Sequence, residues 1–290
     1  MSAAEMLGPT TDKNASAGSR WGHRACSPST SQYISGTYES TWHTRWMANG
    51  CGGSRSRRGL ASLGDVNVVE EYTGHVEPGG DAARRTLDAL TITKLSVGPM
   101  DNNAYLLTCR TSNEALLIDA AADPERISDL IGHGPDRPAL RLVVTTHQHP
   151  DHWQALGAVA GANGSYTAAH PADAEPLPIP PDHLVEQGDT LTVGDITLEV
   201  IHLRGHTPGS IALLYRDPNG HPHLFTGDSL FPGGVGKTTS PEEFATLVDD
   251  VEQRIFAELP DDTWFYPGHG DDSTLGAERP KITEWRDRGW

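Results

Sequence analysis

From Leu90 onward the chain divides into short apolar runs separated by turn residues. Residues 91–97, 105–109 and 115–119 are rich in β-branched, aromatic and leucine side chains, with Gly98-Pro99, Asp101-Asn102-Asn103 and Ser112-Asn113 around them. That pattern predicts neighbouring antiparallel strands. A short helix is predicted over 124–131, then an apolar strand over 140–145 and a helix from about 151 to 160. Strand-like runs return at 190–193, 196–202, 210–216 and 223–226, with a last one at 263–266. Before that last run, Ser240-Pro241-Glu242-Glu243 has the form of a helix start: a serine cap, proline at the first helical position and glutamate at the third. Phe244, Leu247, Val248, Val251 and Ile255 then share one helical face. Groups of strands followed by helices predict two sheets packed face to face with helices outside, an α/β sandwich.

The first 65 residues are different. They show neither helical nor strand periodicity, and they hold 11 Ser, 7 basic and 4 acidic residues, against 8 Ser, 15 basic and 35 acidic in 66–290. Such a segment buries too little to offset its ordering entropy. Residues 1–65 are therefore expected to be a disordered Ser/Gly/Arg-containing extension, or an upstream extension of the reading frame with the native start near Val66 or Val68. Residues 66–290 are expected to be the working domain. Ser56-Arg57-Arg58-Gly59-Leu60 opens like a twin-arginine export signal, but Asp65, Asn67, Glu70 and Glu71 interrupt the apolar stretch that should follow.

Charge and cysteine content narrow the function. A net charge of −17 argues against a nucleic-acid backbone as partner, and no run reaches the roughly 18 apolar residues of a membrane span. Cys26, Cys51 and Cys109 have no C-x-x-C spacing, so neither a disulfide scaffold nor a cysteine-rich zinc module is expected. A reduced, cytoplasmic setting is the expectation.

Candidate chemistry is concentrated in Thr145-Thr146-His147-Gln148-His149-Pro150-Asp151-His152, directly after an apolar strand. In a loop leaving a strand, His147 and His149 can face one ion, while Asp151 and His152 face a neighbouring position. Imidazole with carboxylate suits Zn²⁺, and also Fe or Mn. Three further strand ends carry a ligand-type residue beside glycine: Gly205-His206, Gly227-Asp228 and Gly268-His269.

Taken together these motifs resemble the metallo-β-lactamase superfamily over roughly residues 90–290, and within it the glyoxalase II-like hydrolases. The resemblance implies an αββα sandwich of two mixed sheets with the site at one sheet edge. It implies one metal on His147, His149 and His206, a second on Asp151, His152 and His269, and Asp228 bridging both. Asp119 would support the site from outside. Two Zn²⁺ ions are the expected cofactors, with Fe or Mn open. A water shared by two cations would ionise near neutral pH and attack a thioester carbonyl. Asp151 and Asp228 are then catalytic as well as ligating.

Gly227-Asp228-Ser229-Leu230-Phe231 and Gly236-Lys237 carry the glyoxalase II likeness. Lys237 stands where a basic residue contacts the substrate carboxylate in glutathione-thioester hydrolases, so the expected partner is a small anionic acyl-thiol. Two departures bear on specificity: Asp271 replaces the tyrosine that follows the last histidine ligand, and the chain stops at Trp290 without the helical glutathione-binding domain of longer enzymes. Alternatives on the same motif order are a persulfide dioxygenase, with one iron on His147, His206 and Asp228, and a hydrolase of lactones or other esters.

Other signals are weaker. Gly233 to Lys237 imitates a phosphate-binding loop, but Phe231 occupies the position of its first glycine. His170 is expected to be a hydrogen-bonded structural residue. His221 and His223, flanking Pro222, are expected to be exposed. Cys109 is expected to be a buried apolar side chain, and Trp153 to belong to the core or a cleft wall.

Overall fold

The architecture follows from strands that are apolar on both faces. A computed structural model describes residues 66–132 and 137–289; the disordered extension expected over 1–65 lies outside these. The chain begins with β1 (Val68–Val69), β2 (Ala82–Thr86), β3 (Leu90–Val97), β4 (Asn102–Cys109) and β5 (Glu114–Ile118). Helix α1 (Pro124–Gly132), β6 (Ala139–Val144), α2 (Leu156–Asn163), β7 (Tyr166–Ala169) and β8 (His183–Leu184) follow. These eight strands form one sheet in sequence order. The predicted neighbours β3, β4 and β5 are antiparallel, whereas β5 to β8 pair in parallel.

The second half contributes β9 (Thr190–Val193), β10 (Ile196–His202), β11 (Ile211–Tyr215) and β12 (His223–Gly227), then a small hairpin of β13 (Leu230–Phe231) and β14 (Gly234–Val235). Helix α3 (Pro241–Val251), β15 (Trp264–Pro267), β16 (Ser273–Thr274), α4 (Leu275–Glu278) and α5 (Ile282–Arg288) complete it. The second sheet runs β16-β15-β12-β11-β10-β9, with β12 and β15 parallel.

Alternating side chains of each strand feed different layers. In β4, Tyr105 and Leu107 meet Val200, Leu213 and Phe225 of the second sheet, forming the layer between the sheets. The neighbouring Ala104 and Leu106 instead face Ile127, Leu130, Leu156 and Val159 of α1 and α2. On the far side, Leu247, Val251 and Trp285 of α3 and α5 cover Ala212, Leu224 and Phe265. The fold is thus an αββα sandwich of two mixed sheets, as expected. Strands covered on both faces need near-continuous apolar runs, which is why they were recognisable. Among the described residues, no helix is long and apolar enough to cross a membrane.

Several elements differ from expectation. The helix expected from 151 to 160 is a 3-10 turn at Pro150–His152 followed by α2, because Trp153 leaves helical geometry (φ −143°, ψ 11°). The N–H groups of Gln154 and Ala155 donate to the carbonyls of Ala121 and Ala120 at 3.0 Å, and the Trp153 indole donates to the Gln148 carbonyl at 2.8 Å. The α3 face continues to Ile255, but through a wider turn in which the Ala257 N–H reaches the Glu252 carbonyl. Strand β2 was not foreseen: its Ala-Ala-Arg-Arg-Thr sequence hides the fact that Arg85 lies 4.0 Å over the Trp264 ring and acts as cover. His223 is fully buried rather than exposed, since it begins a central strand between β11 and β15.

Candidate metal centre

The first cluster depends on how the chain leaves β6. Asp119, in the left-handed region (φ 56°) just past β5, accepts the Thr146 N–H and the Thr146 hydroxyl, each at 2.8 Å. Because that hydroxyl proton points at Asp119, the Thr146 oxygen can only accept from His147 Nδ1, 3.1 Å away. His147 is thereby held with its Nε2 lone pair facing inward. Asp119 also contacts His152 Nδ1 at 2.9 Å. The outer nitrogens of His206 and His269 donate to the Lys237 and Met100 carbonyls at 2.7 and 2.8 Å.

Two glycines are required by close approach. A Cβ on Gly205 (φ +128°) would stand 2.4 Å from the Glu243 carbonyl and 2.7 Å from Leu247 Cβ, so the turn before His206 lies directly on α3. A Cβ on Gly268 would stand 2.2 Å from Asp228 Oδ1. Glycine there lets β15 deliver His269 beside Asp228.

The inward nitrogens form two groups. His147 Nε2, His149 Nδ1 and His206 Nε2 are 3.1, 2.9 and 3.2 Å apart. His152 Nε2 and His269 Nε2 are 3.1 Å apart, with Asp151 Oδ2 3.3 Å from the latter. Asp228 lies between the groups: Oδ2 is 3.6 Å from His206 Nε2 and 3.4 Å from His269 Nε2, and Oδ1 is 3.4 Å from His152 Nε2. Three trios can each hold an ion: His147, His149 and His206; Asp151, His152 and His269; and His147, His152 and Asp228.

Two of these imidazoles are drawn towards the neutral form and two towards the charged one. Burial, together with the charge of His152, keeps His147 well below the usual imidazole range, and burial also lowers His206, so both offer lone pairs. Burial opposes charge on His152, but hydrogen bonds and the charges of Asp119 and Asp228 outweigh it and push the group up to about 10. His269 is raised by Asp228 against the same opposition from burial. Burial likewise disfavours the Asp228 carboxylate, yet the surrounding imidazoles hold it far below the carboxylate range. Three nitrogens about 3 Å apart share too few protons to satisfy one another, and Asp228 Oδ1 is buried without a hydrogen bond. A tetrahedral cation at about 2.1 Å separates ligand nitrogens by roughly 3.4 Å, so this donor set fits an ion.

All seven expected ligand residues and Asp119 therefore converge at one edge of the sandwich. Sequence reasoning missed the residues that tie the loops together. Asn102 donates to the Asp151 carbonyl at 2.9 Å and to its carboxylate at 3.0 Å, and Asn103 donates to the Pro267 and Gly270 carbonyls, both at 2.9 Å. In the sequence the pair carries only a turn signal. Asp173 accepts from the Gln148 and Gly209 N–H groups at 3.0 and 2.7 Å, and from the Thr207 hydroxyl. It thus clamps the His147–His149 loop to the loop bearing His206; its own neighbours in sequence carry no signal of this.

The remaining candidates separate clearly. The Lys237 side chain is exposed beside a pocket. His170 caps a short turn by accepting the Ala172 N–H and stacks on His202, the structural role expected. Cys109 is buried. Trp153 is half-buried against the α1/α2 layer. Gly233 and Gly234 turn a hairpin, and the next helix starts only at Pro241, too late for a phosphate loop.

Residues 97–269 match the metallo-beta-lactamase superfamily, and the chain belongs to that family. It is a family of metal-binding proteins, hydrolases for the most part. An uncharacterized protein of Aquifex aeolicus (strain VF5) is 31% identical over 207 residues, covering 66% of this chain and 94% of that protein. A hydroxyacylglutathione hydrolase of Fuscovulum blasticum is 35% identical over 172 residues, 58% of this chain; the match spans 62% of the enzyme, under two thirds of its length. The crystal structure of TTHA1623 in a di-iron-bound form is similar with TM-score 0.52 and 30% identity, over 64% of this chain and 96% of that one.

Proposed function

We propose that this protein is a dinuclear metallo-hydrolase that cleaves hydroxyacyl thioesters of an anionic thiol. The observation that carries the reading is the pair of donor groups sharing Asp228. His147, His149 and His206 would hold one ion, Asp151, His152 and His269 the other, and Asp228 both. An all-nitrogen-and-oxygen set suits zinc, and the di-iron form of TTHA1623 makes iron the competing metal. The likeness to hydroxyacylglutathione hydrolase supports the thioester class.

Two bound cations would supply Lewis acidity and bring the ionisation of a water near neutral pH. The chain's own contribution is orientation. Asp119, Thr146 and the Lys237 and Met100 carbonyls fix the imidazoles, Asn102 steadies Asp151, and the part-buried Asp228 keeps its charge. Among the described residues, Cys109 is the sole thiol and is buried in a strand, which speaks against a cysteine nucleophile and leaves water as the nucleophile of this reading.

Metal analysis and oxygen uptake test this together. The expected results are about two metals per chain, thiol release from a hydroxyacyl thioester without oxygen, and loss of metal and turnover in His269→Ala. A fully active His269→Ala protein with a single metal, or oxygen-dependent formation of sulfite from a persulfide, would instead establish the mononuclear iron oxygenase.

A further inference from the structure

Strand β3 carries a charge into the space between the sheets. Its Leu90 and Ile92 belong to the apolar layer there, and by strand alternation Lys94 follows on the same face. Among the described residues, Lys94 is the only lysine or arginine that is fully buried. Its Nζ donates to the Gly74 and Gly270 carbonyls at 2.8 and 2.6 Å and to Asp272 Oδ1 at 2.8 Å, which uses all three ammonium protons. The Asp272 side chain is equally enclosed, and its Oδ2 accepts from the Tyr72 hydroxyl and the Trp264 indole at 2.7 and 3.0 Å.

An ion pair taken out of water in this way adds little net stability, since apolar residues of similar volume often serve as well or better. Its position offers a different role. The Gly270 carbonyl follows directly on His269, and Asn103 donates to it as well, at 2.9 Å. On the other side of His269, the Pro267 carbonyl accepts from Asn103 and from the Tyr105 hydroxyl at 2.9 and 2.6 Å. His269 leaves β15 of the second sheet, yet its loop is gripped by β3 and β4 of the first. Lys94 is the charged member of that grip, and Asp272 with the 72–74 arm holds its ammonium in place. The group of His147, His149 and His206 is held by other residues, Thr146, Asp173 and the Lys237 carbonyl. Lys94, Asp272 and Gly74 all lie outside residues 97–269, so the stretch shared with the family does not include them.

We propose that Lys94 is a positioning residue for His269: it fixes the Gly270 carbonyl, and with it the half of the metal centre built from Asp151, His152 and His269. The consequence for metal binding rests on the two-metal reading; the effect on the loop does not.

Lys94→Met alone strands the buried Asp272 carboxylate and should strongly destabilise the chain. Lys94→Met/Asp272→Asn removes both charges and leaves an amide oxygen to accept from Tyr72 and Trp264, so its urea midpoint should return towards that of the parent. In the metal-free full chain, the Gly268 and Gly270 amides, which donate to the Gly227 and Asp101 carbonyls, should exchange about tenfold faster in this double variant. The Thr145 and Thr146 amides should keep the parental rate. Zinc titration against a chromophoric chelator should show two steps in the parent. The step that His269→Ala abolishes should be about tenfold weaker in the double variant, with the other step unchanged. Parental exchange at Gly268 and Gly270, or two zinc steps that stay at parental affinity or weaken alike, would overturn the assignment and leave an ion pair that only supports the fold. A parent that takes up a single zinc would overturn the two-metal reading instead, and the exchange rates would still decide the role of Lys94.

Discussion

At the scale of single residues, the metal centre depends on groups that never face the metal position. Asp119 accepts from the Thr146 amide and hydroxyl and from His152, and through Thr146 it sets the orientation of His147. Asp119→Asn keeps a residue tolerant of the left-handed backbone but turns one acceptor into a donor facing donors. Metal affinity should fall about 10- to 100-fold, measured by competition with a chromophoric chelator; affinity within twofold of the parent would deny Asp119 this role. The cluster 147–152 was legible because histidine and aspartate at such short spacing have few structural uses. Asp173 and Asn102 were not, since their partners are backbone groups and side chains 25 to 49 positions away. His223 misled for a related reason: its burial comes from the strands on either side, not from its polar neighbours.

At the scale of elements, α3 does more than cover a sheet. Asp250 near its end accepts from the Arg204 amide, Nε and Nη2 at 2.9, 2.9 and 2.7 Å, fixing the residue two positions before His206. Burial raises the Asp250 pKa, but these bonds and Arg254 outweigh it and hold the group below the usual carboxylate value. The sign follows: Asp250 contributes fully above its unfolded pKa of about 3.9, and the contribution is lost as pH falls through its lower folded pKa. Asp250→Ala should cost about 1–2 kcal/mol at neutral pH in urea unfolding, the figure kept modest because Arg204 is half exposed. The gap from the parent should narrow only at more acid pH; a pH-independent gap would place the effect elsewhere. Helix α3 was readable because its cap is local: Ser240 accepts the Glu243 N–H at 3.1 Å. Strands β1, β2, β7 and β8 were not readable, since short or arginine-bearing strands take their stability from pairing with neighbours rather than from their own pattern.

For the whole molecule, the site joins two sheets. His147, His149, Asp151 and His152 follow β6 of the first sheet, while His206, Asp228 and His269 leave β10, β12 and β15 of the second. Cations shared between the two groups would stabilise the native packing by mass action. A chelator should therefore lower Tm, and returning metal should raise it in a concentration-dependent way; scanning calorimetry showing equal Tm with and without metal would sever this coupling. Because Asp119 and Asp228 raise the pKa of His152, and Asp228 that of His269, against the opposition of burial, metal uptake should release protons, measurable in buffers of different ionisation enthalpy.

The first sheet ends at β8 and the second begins at β9, with a short connection at 185–189 as the direct link. Cut there, the polypeptide would yield two partial sandwiches, each exposing the face that held Tyr105 and Leu107 or Val200 and Phe225. Neither piece would own a complete set of donors. Coexpressed, the halves should reassemble as a split reporter whose recovery rises with available divalent cation, turning the seam between the sheets into a sensor for that cation.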